Sequence, residues 1–186
     1  VGGVLSAFGL AASAGLNAYV PLLLVALVAR FTDWINLGAT WEPLTSWWVI
    51  GVLLLLGLIE FFADKIPAVN HANDLIQTFV RPAAGAVLFA ARVTDIHPVV
   101  AIVAGLLVAG GVHLVKSAAV RPAVSVTTGG VGNVPVSIAE DILATILSIL
   151  AIVIPVAVAT LIVLLTAFVI WLLWRRAQRS AEARGG

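Results

Sequence analysis

Residues 142–174, ILATILSILAIVIPVAVATLIVLLTAFVIWLLW, form the longest stretch of the chain without a charged side chain. A hydrocarbon core of roughly 30 Å is crossed by about 20 residues of helix, so this stretch is too long for one upright span. As a single helix it would reach about 50 Å. Pro155 removes a backbone hydrogen bond near its middle, so we expect either two segments that meet there or one kinked helix.

The whole chain shares this apolar character, because 62% of its 186 residues are hydrophobic and only 10% are charged. A soluble domain of about 150 residues buries only ~70% of its unfolded surface, so many of these side chains must face lipid. The alternation of a membrane β-barrel is absent. We therefore predict an all-α integral membrane helical bundle of five or six membrane segments, in a single transmembrane domain over residues 1–186. The predicted spans are 6–31, 46–66, 97–118, 137–153 and 154–174.

Two regions are predicted to contain short or broken helices. Charged residues interrupt 74–92, and its best apolar run, 82–91, would give about 15 Å of helix, half a membrane. We expect a short or re-entrant segment there. Region 120–151 begins with helix breakers and turn formers such as Gly129-Gly130. Irregular backbone at membrane depth persists only where protein or a wet cavity surrounds it.

Short similarities along the chain suggest a weak internal repeat. Glu60 follows a Gly-Leu-Ile sequence much as His113 follows Gly-Gly-Val, and Arg81-Pro-Ala recurs as Arg121-Pro-Ala. Repeated broken helices are the way many transporters build a central binding site.

The basic tail, 175–186, predicts the orientation of the chain. Its arginines directly follow Trp171 and Trp174. Basic residues that flank a span stay cytoplasmic, and tryptophan lies at headgroup level. We predict a multi-pass protein of the cell (plasma or inner) membrane with a cytoplasmic C-terminus. Topology explains these arginines better than nucleic-acid binding, so no nucleic-acid partner is expected.

Two pairs of ionisable residues lie at the ends of predicted spans. Glu60 and Asp64 are one helical turn apart and share a face. A carboxylate on an apolar helix marks a functional site or a paired interior position by default. The alternative for Glu60 is a pair with Lys65 near the headgroups. His113 and Lys116 end the third span, and we expect one of them to contact Glu60. The alternative for Lys116 is a side chain that extends to the interface.

Two acidic residues, Glu140 and Asp141, open the long apolar run. Acidic groups stabilise a helix N-terminus, and Ser137 with Glu140 has the spacing of a capping box. In the functional alternative, both carboxylates face a polar cavity with Asn133. The candidate pathway or binding residues are Asn17, Glu60, Asp64, His113, Lys116, Asn133, Glu140 and Asp141.

Motifs for catalysis or metal binding are lacking in the sequence. No HExxH pattern, His-rich tract or catalytic serine elbow occurs, and the absence of cysteine excludes thiolate ligands. We predict no cofactor and no catalytic residue. If a metal did bind, the candidate ligands would be Glu60, Asp64 and His113.

Several polar motifs resemble a known family. They are Ser13-Ala-Gly-Leu-Asn-Ala-Tyr-Val-Pro21, Glu60-Phe-Phe-Ala-Asp-Lys-Ile-Pro67, Asp74 with Arg81-Pro82, and Thr128-Gly-Gly with Glu140-Asp141. Together they resemble the bacterial membrane family known as domain of unknown function 4126, over nearly the whole chain. The resemblance implies a multi-span membrane fold and brings no established activity. It also implies that the polar segments, rather than the lipid-facing spans, define the family.

Three functional hypotheses follow. The first is a small, oligomeric transport or channel-type protein whose polar pathway is lined by the candidate residues. The second is an accessory or scaffold subunit of a larger membrane complex, in which buried polar residues hold helices together. The third is an intramembrane lipid-processing enzyme with Glu60 and His113 as an acid and base pair. The expected partners are the lipid bilayer and either further copies of the chain or a larger membrane complex.

Overall fold

The computed structural model describes residues 2–154 and 161–175, with backbone alone at 2, 67, 68 and 70–72. Within this part of the chain all regular secondary structure is helical, which confirms the predicted all-α class. Pro155 and the tail beyond Arg175 lie outside the described residues. The helices are α1 (Gly2–Leu16), α2 (Tyr19–Phe31), a 3-10 helix (Ala39–Thr45), α3 (Trp47–Ala63), α4 (Pro67–Arg92), α5 (Pro98–Val115), a π-helical turn (Lys116–Val120), α6 (Arg121–Thr128), α7 (Asn133–Val153) and α8 (Leu161–Arg175).

The apolar helices fit a membrane-embedded protein. Among the described residues, two helices are long and apolar enough to cross a bilayer, Pro98–Thr128 and Asn133–Val153. The 3-10 helix and α3 would form a third span if taken together across their 64° bend. Helices α1, α2 and α8 are apolar but shorter. The predicted five or six membrane segments are therefore not confirmed.

The predicted span 6–31 is divided into two helices, α1 and α2, rather than forming one. The break occurs at Asn17, whose Oδ1 accepts hydrogen bonds from the backbone N–H groups of Tyr19 at 3.1 Å and Val20 at 3.0 Å. A side chain that occupies these donors replaces the carbonyl partners they would have in a continuous helix. A single asparagine therefore ends α1 and starts α2.

The prediction of a short or broken segment over 74–92 is wrong, because α4 runs without interruption for 26 residues and passes through Pro82. Asp74, Gln77 and Arg81 recur every three or four residues and so share one helical face. Arg81 and Gln77 are fully buried, and the arginine has a carboxylate partner inside the protein. The charges that seemed to interrupt a span are an interior stripe of one long helix.

Region 120–151 is broken at one place only. Helix α5 continues through the π-helical turn and α6 to Thr128, and the break follows at Gly129 and Gly130, which have positive φ angles of 63° and 90°. The predicted capping box is wrong: α7 begins at Asn133, which places Ser137 inside the helix. Its hydroxyl donates instead to Asp64 Oδ2 at 3.1 Å.

Helix α1 lies against α4, α5 and α7 at the centre of the bundle. The α4–α5 contact depends on glycine, because a Cβ added to Gly105 would lie 2.6 Å from Ala86 Cα and one added to Gly85 would lie 2.7 Å from the Gly105 carbonyl oxygen. Small residues at these crossings let helix backbones approach closely, as in many membrane proteins. Helices α4 and α5 are thereby held close together.

Candidate functional site

The largest fully buried side chain among the described residues is Arg81 of α4, which is 0% exposed. Its Nη2 donates to Glu60 Oε1 at 2.9 Å, and its Nη1 lies 3.2 Å from His113 Nδ1. A guanidinium only donates, so Nδ1 is the acceptor and the imidazole is neutral in this arrangement. The other ring nitrogen, Nε2, lies 3.2 Å from the Thr78 hydroxyl. Arg81 therefore joins α3 and α5 through α4.

A second arginine, Arg121 at the start of α6, organises the neighbouring part of the interior. Its guanidinium contacts carboxylates from three elements: Asp74 at 2.8 Å, Glu140 at 3.3 Å and Asp64 at 3.4 Å. One cation with three anionic partners leaves negative charge in excess around it. Arg121 thus ties α4, α6 and α7 to the end of α3.

Lys116 supplies further positive charge from the π-helical turn. Its Nζ lies 2.7 Å from Glu140 Oε2 and donates to the Leu16 carbonyl at 3.1 Å. That carbonyl belongs to the C-terminal end of α1, where a cation interacts favourably with the negative end of the helix dipole. The turn, which often marks functional sites, directs a lysine into the interior at the α1–α2 break.

Asp64 connects the two arginines, since its Oδ2 lies 3.9 Å from Arg81 Nη2 and 3.4 Å from Arg121 Nη2. With His113 neutral, the assembly holds four carboxylates against three cations and carries one net negative charge. Charge this deeply buried is costly and is a functional signal in membrane proteins. We call this assembly the charged network; its members are Glu60, Asp64, Asp74, Arg81, His113, Lys116, Arg121 and Glu140.

The ionisation of Asp64 is set by this surrounding charge. The residue follows the last turn of α3, and its Oδ1 also accepts from Asn73 Nδ2 at 2.7 Å. Burial acts to raise the pKa of Asp64, but Arg121, Lys116 and the Asn73 hydrogen bond together outweigh burial and hold that pKa below its ordinary value. Asp64 is therefore a stable anion between the two arginines.

A separate polar contact lies at the edge of the bundle. Asp141 accepts from Asn17 Nδ2 at 3.0 Å and pairs with Lys65 at 3.3 Å. Both members of the Lys65–Asp141 pair are partly exposed, so the pair adds little to stability. Asn17 and Asp141 therefore lie outside the charged network.

The charged network opens onto a cavity of about 660 Å³, which we call the polar cavity. Asp64, Asp74 and Arg121 bring the network to its wall, where carboxylates outnumber the guanidinium. Asn133 also reaches this wall and donates to Ser125 Oγ at 2.9 Å. The other lining residues are Ser117, Pro122, Gly129, Gly130, Val131 and Val134.

A second cavity, of about 410 Å³ and mainly apolar, lies between α2, α3 and α7. We call it the apolar cavity. Asn17, Tyr19 and Asp141 form its polar corner, and leucine side chains such as Leu53 form much of the rest. The hydroxyl of Tyr19 is close enough to interact with Gln77 and Glu60.

The sequence-predicted candidates separate into three groups in the structure. Five of them, Glu60, Asp64, His113, Lys116 and Glu140, meet in the charged network. Asn133 lies on the polar cavity, while Asn17 and Asp141 lie on the apolar cavity. The expected contact of Glu60 with His113 takes a different form, because Arg81 bridges the two side chains.

Sequence reasoning missed three members of the charged network: Asp74, Arg81 and Arg121. The available signal was the repeated Arg-Pro-Ala, because each repeat carries one of the two buried arginines. An arginine in an apolar chain needs an internal anion, so each arginine should have been paired with a carboxylate.

The described residues contain no preformed metal site, because no three of their histidine, aspartate or glutamate side chains are placed to hold one ion. The candidate ligands Glu60, Asp64 and His113 instead each contact an arginine guanidinium. A fixed positive charge therefore lies next to each of the three side chains.

Comparison with known protein families adds a classification to this geometry. The model of the family described as Domain of unknown function (DUF4126) matches residues 4–175. The chain belongs to this family. The DUF4126 match covers every member of the charged network and every residue that lines the two cavities, and it confirms the resemblance drawn from the polar motifs. Neither the curated proteins nor the solved structures contain a significant match to the chain.

Proposed function

We propose that this DUF4126 protein is a small membrane transporter for cationic solutes, with the polar cavity as its binding site. The observation that carries the proposal is the convergence of charged side chains from the end of α3, from α4 and from α6 on one open cavity. Asp64 and Asp74 outnumber Arg121 on the cavity wall, so a small cation is the class of solute that balances the charge.

Two features of the helices support transport. The α1–α2 break, with Lys116 at the carbonyl end of α1 and Asn17 at the start of α2, has the form of the discontinuous helices that build central sites in transporters. The π-helical turn brings Lys116 to the same place. Irregular backbone of this kind is tolerated at membrane depth where it lines a cavity.

The scaffold hypothesis explains the ion pairs but not the cavity beside them. A network that only held helices together would be expected to be closed, since open space beside buried charge costs packing. The enzyme hypothesis has less support, because Glu60 and His113 are both fully buried and both contact Arg81. Neither side chain lines the polar cavity or the apolar cavity, so neither reaches a place where a lipid substrate could bind.

We infer a location in the plasma or inner membrane with a cytoplasmic C-terminus. Arg175, at the end of α8, lies over the Trp171 ring with a 5.2 Å separation, an arrangement typical of a membrane interface. The numerous exposed apolar side chains of α3, α5 and α8 would contact lipid or, in an oligomer, a second copy of the chain. Transport through an oligomer remains part of the proposal.

The test uses proteoliposomes on a solid-supported membrane, with currents recorded after concentration jumps of guanidinium, methylammonium or potassium chloride. We expect a saturable current with at least one of these cations. Asp74→Asn removes one wall charge; a pair of charges at 4 Å is worth about 4 kcal/mol at an effective dielectric of 20, so apparent cation affinity should fall by tenfold or more.

The matched control is Asp33→Asn, because Asp33 is exposed in the α2–α3 connection and far from the network in sequence. It should leave the current unchanged. A folded wild-type protein that gives no current with any of the three cations, or equal currents for Asp74→Asn and wild type, would overturn the transport proposal in favour of the scaffold hypothesis.

A further inference from the structure

Glu60 has one carboxylate oxygen that the described part of the chain leaves without a hydrogen-bond donor. Oε1 accepts from Arg81, whereas Oε2 is buried without a partner, and the whole side chain is 1% exposed. A buried carboxylate oxygen without a donor is costly as an anion and becomes favourable when it carries a proton.

Helix α4 carries a second buried acceptor without a donor. Gln77 is one helical turn before Arg81 on the same face of α4, and its Oε1 is also buried without a donor. The Tyr19 hydroxyl lies near both Gln77 and Glu60. The two buried acceptors thus share one nearby hydroxyl, which can donate to only one acceptor at a time, so a proton added to Glu60 reduces the shortage of donors.

The charge balance of the network also favours a proton on Glu60. With His113 neutral, the charged network carries one net negative charge, and His113 Nδ1 already accepts from Arg81. Asp74 has an unpartnered oxygen too, but its side chain is 26% exposed and its other oxygen is 2.8 Å from Arg121. Glu60 is therefore the carboxylate at which a single proton neutralises the network.

We propose that Glu60 is a proton-binding site that couples the two cavities. A proton delivered by water as hydronium adds to Oε2, an O–H bond forms, and the carboxylate becomes a neutral acid. On release the O–H bond breaks and the proton returns to water. The groups that face Glu60 are Arg81 from α4, Asp64 at the end of α3, Lys116 from the π-helical turn and Tyr19 from α2.

Protonation of Glu60 affects the polar cavity because it changes which carboxylate pairs with Arg81. When Glu60 is neutral, Arg81 has Asp64 as its remaining anionic partner, 3.9 Å away. Asp64 then shares less of its charge with Arg121, which lines the polar cavity. Tyr19 lines the apolar cavity, so its hydroxyl provides a route for the proton between that cavity and Glu60. The inference rests on the proposed function where it concerns transport, but proton binding by itself does not.

The test is an infrared pH titration of the full chain in lipid, which reads the carbonyl band of protonated carboxyl groups. In the wild type we expect a buried carboxyl band that titrates reversibly. Glu60→Gln should lose that band, and the matched control Glu42→Gln, at an exposed position in the 3-10 helix, should keep it.

The outcomes separate the two proposals. A band unchanged in Glu60→Gln overturns the proton site and leaves cation transport standing. Loss of the band together with an absence of cation currents supports the proton site and overturns transport. Cation currents in the wild type that depend on pH, and currents in Glu60→Gln that do not, support the coupling; equal pH dependence in both proteins overturns it.

Discussion

Substitution of Arg81 by methionine tests whether the charged network holds the bundle together. Methionine fills a similar volume but leaves Glu60 as a buried anion. The net charge of the network becomes more negative, from minus one to minus two. Removal of one partner from a buried ion pair costs about 3–5 kcal/mol, because the remaining charge is uncompensated. That cost corresponds to a factor of roughly 10²–10⁴ in the unfolding equilibrium.

The measurement is reversible unfolding in mixed micelles, followed by the fluorescence of the six tryptophans. Arg92→Met is the matched control on the same helix, because Arg92 makes only a 3.5 Å hydrogen bond to the Asn36 carbonyl. The double variant Arg81→Met with Glu60→Leu should recover most of the loss, since both charges of the pair are gone. Equal free energies of unfolding for Arg81→Met and Arg92→Met would show that the charged network does not hold the bundle together.

Three other perturbations have defined outcomes. Gly105→Val should lower the free energy of unfolding by about 1–3 kcal/mol through overpacking against α4, whereas Gly111→Val, where an added Cβ meets nothing within 4 Å, should cost less; equal costs would contradict the glycine contact. Asn17→Ala should cost about 0.5–2 kcal/mol through loss of the α2 cap, and no loss would contradict that role. The pKa of Asp64 is lowered on folding, so its stabilisation is present above its unfolded value of about 3.9 and is lost as pH falls. Acid should therefore destabilise the wild type more than Asp64→Asn, and parallel pH profiles would count against the Asp64 ion pairs.

The helical class could be predicted from the sequence because it depends on composition and on the length of apolar runs. The break at Asn17 could not, since it depends on one side chain that satisfies two backbone donors. The prediction of a short or broken segment over 74–92 was wrong for a related reason. Local charge density suggests an interruption, while the buried partner of Arg81, on a different helix, is visible only in three dimensions.

The candidate site was partly predictable. Residues at span ends, such as Glu60 and Lys116, are conspicuous because charge is rare in this chain. Arg81 and Arg121 were not among the candidates, because both fall in regions where the sequence predicts short or broken helices, and each precedes a proline. In the structure both prolines lie inside continuous helix, so the arginines point into the bundle rather than into a loop.

The most direct test of the central claim is whether the polar cavity is open to water and selects cations in the membrane. The chain has no cysteine, so Ser117→Cys on the cavity wall places a single thiol there. Its rates of modification by a cationic and an anionic methanethiosulfonate reagent are then measured in sealed vesicles, with Ser6→Cys, at a fully buried position of α1, as the control. We expect Ser117→Cys to react, faster with the cationic reagent, and Ser6→Cys to stay unmodified. A Ser117→Cys thiol that is as unreactive as the buried control, or that prefers the anionic reagent, would contradict the account.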